Sequence, residues 1–100
     1  MSQPIKLVVH ITTLPGRGAD QVAAFERLAP LVRAEEGCLQ YDLHRVADDP
    51  DRFVILERWA SAEALAAHDA APHMAEAAVA NKAFRAGPAE AFRLVDEPVA

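Results

Sequence analysis

Cys38–Val46 (CLQYDLHRV), Ala47–Asp51 (ADDPD) and Arg52–Ala60 (RFVILERWA) decide the fold. The outer two segments mix aromatic, aliphatic and β-branched residues at strand length. The middle one clusters Asp and Pro, which favour turns. Together they predict a β-hairpin. If Val46 lies opposite Arg52, odd residues pair with odd. One face then carries Leu39, Tyr41, Leu43, Phe53, Ile55, Glu57 and Trp59. The other carries Gln40, Asp42, His44, Val54, Leu56 and Arg58. The first face is the more apolar, so it is expected to lie under the helices.

Working outward, Ile5–Thr12 (IKLVVHIT) reads as a strand, and Leu14-Pro15-Gly16 breaks it. Asp20 is placed to cap a helix running to about Ala34. Its Val22, Phe25, Leu28/Ala29 and Val32 form one apolar stripe. Pro30 within that stripe predicts a kink or an early end. Glu36-Gly37 closes the helix. Beyond the hairpin, Ser61 caps a short helix to about Ala70, and Pro72 opens another that ends near Ala86. After Gly87-Pro88, Ala89–Val95 reads as the last strand. The order β-α-β-β-α-(α)-β is the ferredoxin-like α+β pattern in a single domain spanning residues 1–100. Helices cover one sheet face only, which leaves the other free to pack on a second copy.

Composition narrows the function classes. The chain has 100 residues, and 10 basic against 15 acidic residues give a net charge of −5. That balance opposes nucleic-acid binding, which needs a basic stripe. No apolar run reaches the ~20 residues of a membrane span, and no signal-peptide pattern opens the chain. The lone Cys38 cannot form an internal disulfide, which points to a reducing, cytoplasmic location. Of the 52% apolar residues, 22 are alanine, so the core is thin and a partner subunit is expected.

Glu57 is the anomaly on the helix-side face. A carboxylate among Tyr41, Ile55 and Trp59 needs a hydrogen bond or water, and Tyr41 lies opposite as a donor. Leu65 and His68 share one face of the short helix, which brings His68 above Trp59 and Glu57. His73 sits in the first turn of the helix that Pro72 opens. His10 and His44 fall on the opposite sheet face. Structural roles are open to all of these: a buried carboxylate is commonly paired, and a lone inward histidine commonly serves packing. No residue spacing matches a metal site, a phosphate-binding loop or a nucleophile elbow.

Glu35–Tyr41 (EEGCLQY), Glu57–Trp59 (ERW), Ser61–Leu65 (SAEAL) and His68–Met74 (HDAAPHM) occur in an order and spacing that resemble the antibiotic biosynthesis monooxygenase family. The likeness is nearest to its small bacterial quinol monooxygenase-type members. Pro15-Gly16 after the first strand fits too. The resemblance implies a dimeric α+β barrel of two ferredoxin-like subunits. It also implies oxidation of a quinol or polyphenol-type aromatic by O2 with no cofactor and no metal. The expected pocket lies between sheet and helices. His68, then His73 and Glu57, are its base candidates, with Trp59 at the ring, and Tyr41, Phe53, Ile55, His73 and Val9 are expected to contact substrate. Val9 stands where the family's haem-degrading branch carries an Asn, so haem degradation is disfavoured. Two other readings remain: an acid–base isomerase of a small metabolite, and a non-catalytic dimeric ligand-binding module.

Overall fold

The computed structural model describes residues 3–95 and 97–100. Its chain runs β1 (Ile5–Thr12), α1 (Gly18–Arg33), β2 (Cys38–Arg45), β3 (Arg52–Trp59), α2 (Ala62–Asp69), α3 (Pro72–Asn81) and β4 (Glu90–Leu94). The sheet order is β2-β3-β1-β4, with every neighbouring pair antiparallel. This is the ferredoxin-like α+β arrangement. The hairpin closes where the turn residues place it. Asp48 takes the left-handed backbone (φ 65°) that Asp tolerates, and the Val46 amide donates to the Arg52 carbonyl (2.9 Å). Arg45 pairs with Phe53, Leu43 with Ile55 and Tyr41 with Glu57, the odd-to-odd register read from the sequence.

The parity fails at one place. The register shifts between Cys38 and Gln40, so Cys38, not Leu39, lies opposite Trp59. The extra residue of this β-bulge turns Leu39 outward, where it is 54% exposed.

Helix ends also differ from expectation. Arg17, without a side-chain cap, holds the N-cap position of α1, while Asp20 lies in its first turn and pairs with Arg17. Pro30 does not stop α1, which continues to Arg33. It sits on the exposed side of the helix, where the carbonyl of Glu26, left without its usual N–H donor, is open to water. α3 ends at Asn81 and not near Ala86. The backbone after it is taken up by the end of β1: Leu14 donates to Phe84 O, and Ala86 donates to Thr12 O. Phe84 is buried in consequence.

The core lies between sheet and helices. Gln21, Phe25, Ala29 and Val32 are the buried stripe of α1, and they face Leu7, Ile11, Tyr41, Phe53, Ile55 and Trp59. Asp51 ties the hairpin to the β1–α1 loop by accepting from the amides of Gly16 (3.0 Å) and Gly18 (3.2 Å).

Candidate active site

Alternation along β3 sends Phe53, Ile55, Glu57 and Trp59 into the interior. Glu57 and Trp59 are two residues apart and share a face. The indole Nε1–H donates to Glu57 Oε1 at 2.9 Å. The indole thus supplies the hydrogen bond that the sequence reading sought from Tyr41. Burial pushes the Glu57 carboxyl up from its ordinary range, and the indole bond and the nearby His68 pull the other way.

His68 reaches this pair from above. Ser61 caps α2 by accepting from the Ala64 amide (3.1 Å), and Leu65 and His68 then face the sheet. The His68 ring packs on Trp59, with centroids 4.4 Å apart, and meets the edge of Tyr41 at 5.8 Å. Its Nε2 lies 3.9 Å from Glu57 Oε1, beyond hydrogen-bond length. Its Nδ1 lies 2.9 Å from Glu35 Oε2, and His73 Nε2 reaches the same oxygen at 2.9 Å.

Glu35 joins the two imidazoles, and no strand or helix period in the sequence marks it for that position. Gly37, with φ 83°, reverses the chain just beyond Glu35. Its carbonyl accepts from the Ala60 amide (2.8 Å), which presses the turn against the start of α2. One carboxylate therefore spans two imidazoles from two helices. In the neutral ring, a proton on Nε2 shared with Glu35 leaves Nδ1 as the lone-pair nitrogen, the form in which an imidazole can act as a base.

A cavity of about 230 Å³ opens between α1, α3 and the sheet; its walls include Gln21, Phe25, Tyr41, Ile55, His73 and Arg85. Tyr41 is stacked on Phe25 (5.1 Å, 18°). Burial, with the Glu57 charge adding, pushes the Tyr41 phenol well above its ordinary range, so it stays a donor. Arg85 Nε donates to Gln21 Oε1 at 3.0 Å. Burial pulls the Arg85 guanidinium down from its ordinary range, with Tyr41 opposing.

Three expected pocket residues, Tyr41, Ile55 and His73, border this space. Trp59, Glu57 and His68 do not; the indole and imidazole pack on each other in the layer behind it. Val9 packs against the core opposite Ile55 without reaching the cavity. Phe53 is 1% exposed and lies under the Arg45 guanidinium instead. Gln21 carried a legible signal, a polar residue in phase with Phe25 and Ala29 on an apolar stripe. Arg85 carried none, since only the bridge between Thr13 and Arg85 brings it here. Among the described residues, no group of three His, Cys, Asp or Glu side chains is arranged to hold a metal ion. Among the same residues, no helix is long and apolar enough to cross a membrane.

Comparison with known proteins places these features in a wider set. Residues 4–80 match the sequence model described as antibiotic biosynthesis monooxygenase. Rv0793 of Mycobacterium tuberculosis, designated a candidate monooxygenase, is 32% identical over 73 residues, covering 73% of this chain and 71% of that protein. YcnE of Bacillus subtilis, with the same designation, is 28% identical over 89 residues, covering 89% of this chain and 94% of its own. The crystal structure of PA3566 from Pseudomonas aeruginosa superposes with a TM-score of 0.88 at 32% identity, covering 98% of each chain.

Proposed function

The chain belongs to the antibiotic biosynthesis monooxygenase family, and on that premise we propose that it is a cofactor-independent monooxygenase acting on a single-ring hydroquinone or related polyphenol. The observation that carries this reading is His73, an imidazole on the wall of a ring-sized cavity with its Nε2 tied to Glu35. A cavity of roughly 150 Å³ accommodates benzene, so about 230 Å³ suits one substituted ring. Phe25, Tyr41 and Ile55 supply its apolar and aromatic wall.

Ground-state O2 is a triplet and reacts poorly with closed-shell organic molecules. A hydroquinone that has lost a proton is easily oxidised and can pass one electron to O2 directly. The protein's tasks are then to take the proton, hold the ring and exclude water. His73 takes the proton through Nδ1, and Glu35 holds the imidazole and stabilises its charge. His68, Glu57 and Trp59 form the buried support behind that carboxylate. In the overall change a hydroquinone and O2 give a hydroxyquinone and water: one oxygen atom enters a ring C–H position and the other leaves as water. His68 stood first among the base candidates in the sequence; its burial behind Glu35 favours His73 for contact with substrate.

The working unit in this proposal is a homodimer in a reducing, cytoplasmic setting. The sheet face away from the helices carries Val8, Val54, Leu56, Phe92 and Leu94, none fully buried. Stacking two such faces would cover them.

Oxygen uptake over a panel of monocyclic hydroquinones tests the activity, with an air-free control and isotopically labelled O2. One labelled atom in the product is the expected result. No uptake above the uncatalysed rate across the panel, or hydrogen peroxide with no label in the product, would overturn it.

A further inference from the structure

The cavity's inner cation has a neutral partner. Gln21 is 2% exposed, and its amide oxygen holds Arg85 Nε at 3.0 Å. That bond uses one of the five N–H groups of the guanidinium. It fixes the group against the cavity and brings no charge to it. The ion pairs among the described residues do not include Arg85. Glu76 also borders the cavity, but it is exposed on α3.

We propose that Arg85 is a specificity-determining residue that binds a carboxylate carried by the aromatic ring entering this cavity. The inference rests on the monooxygenase reading and narrows its substrate class to hydroxylated aromatic acids. A half-buried guanidinium without a counter-charge is costly, and a ligand carboxylate offsets that cost. A carboxylate suits the site better than a phosphate: it is planar, it matches the guanidinium fork in a bidentate pair, and its single charge balances the single cation. The protein as a whole is acidic, with a net charge of −5, so general electrostatics would repel an anion. Retention would come from the local cation. The depressed basicity that burial gives Arg85 fits a group awaiting a counter-ion.

Benzoate and benzamide test this directly. They have the same shape, differ in charge and are not oxidised, so calorimetric binding reads the recognition alone. The wild-type protein is expected to bind benzoate at least about tenfold more tightly, the scale of a charge-assisted hydrogen bond. Arg85→Met should abolish that preference. Gln21→Glu, which provides the guanidinium with an internal carboxylate, should abolish it too while keeping the arginine. It therefore serves if Arg85→Met fails to fold. Equal binding of the two ligands, no detectable benzoate binding, or a preference that survives either folded variant overturns the proposal. Oxygen uptake separates it from its premise. A benzoate preference with no uptake on neutral hydroquinones or a dihydroxybenzoate leaves Arg85 as an anion-binding group and removes the monooxygenase reading. Uptake without the preference does the reverse.

Discussion

Glu35 and His68 stand 33 residues apart in the chain and 2.9 Å apart in the fold, where His68 Nδ1 donates to Glu35 Oε2. The same oxygen holds His73, so this carboxylate sets the protonated nitrogen of both rings. Glu35→Gln keeps the shape but brings an amide N–H₂ against one imidazole and removes the charge that favours imidazolium. Turnover of a hydroquinone is expected to fall by about 100-fold, the usual scale of lost acid–base assistance. The melting temperature should fall by roughly 5–15 °C, the shift that about 1–2 kcal/mol for two hydrogen bonds produces in a domain of this size. Steady-state kinetics and thermal melts on the same preparations check this. Unchanged turnover removes Glu35 from the mechanism.

Glu57 makes stability depend on pH in a definite direction. Burial raises its carboxyl pKa in the folded state above the ordinary value. The folded state therefore holds the proton more tightly than the unfolded one. That contribution is fully present below the ordinary carboxylate range and is lost as pH rises through the folded value. Glu57→Gln keeps an acceptor for the indole and removes the ionisation. The melting temperature of the variant minus that of wild type should grow as pH rises from the acidic to the neutral range. A difference independent of pH contradicts the burial effect.

The fold was readable because one parity decides it. Tyr41 alternates with Gln40 and Asp42, and Trp59 follows Arg58, so a wrong register would bury charge and expose the two large rings. Leu39 escaped that logic because a bulge leaves no mark in a period-two pattern. Tyr41, Ile55 and His73 were legible as cavity residues, since strand parity and the Pro72 helix start place them. The layering was not. Whether Trp59 and His68 line a hollow or fill it depends on how two large rings share the space above the sheet. Glu35 lies in a turn, where no periodicity says which way a side chain points. Gln21 and Arg85 are 64 residues apart and meet only through tertiary packing.

Tyr41 is the chain's single tyrosine, so the ultraviolet band of phenolate reports it alone. Burial and the Glu57 charge hold its pKa above the ordinary range. The phenolate band should appear only in strongly alkaline solution, together with unfolding. Ionisation near the ordinary tyrosine value, with the fold intact by circular dichroism, would show that Tyr41 is open to solvent. Tyr41→Phe should keep the stack on Phe25 and lower kcat/KM about tenfold, by loss of one hydrogen bond to substrate.

Gly37 and Gly16 both have positive φ, 83° and 79°, but their surroundings differ. A Cβ at Gly37 would lie 2.5 Å from Ala64 Cβ, while one at Gly16 meets nothing within 4 Å. Gly16→Ala should cost about 1–2 kcal/mol, the backbone strain alone. Gly37→Ala should cost about 2–4 kcal/mol, because overpacking against α2 adds to that strain. The clash also pushes on the helix that carries His68, so turnover should fall in the Gly37 variant and hold in the Gly16 variant. Denaturant titrations alongside kinetics give both readings, and equal costs at the two positions would refute the contact.

Phe92 tests the proposed dimer. It pairs with Val8 across β1 and β4 and meets His10 edge-on at 5.5 Å, yet it is 50% exposed. Leu94 beside it on the same face is 43% exposed. A stable interface of standard size buries about 800 Å² on each partner, and four strands of alternating side chains offer a surface of that order. Phe92→Asp places a charge on the apolar edge strand of this face, where burial without a partner is costly. The helices lie on the other side of the sheet, so the Glu35–His68–His73 bonds should be undisturbed. Sedimentation should give a dimer for the wild-type chain and a monomer for Phe92→Asp, with matching far-ultraviolet spectra. A wild-type monomer at micromolar concentration would rule out the face-to-face assembly and leave Phe92 and Leu94 as solvent-exposed side chains.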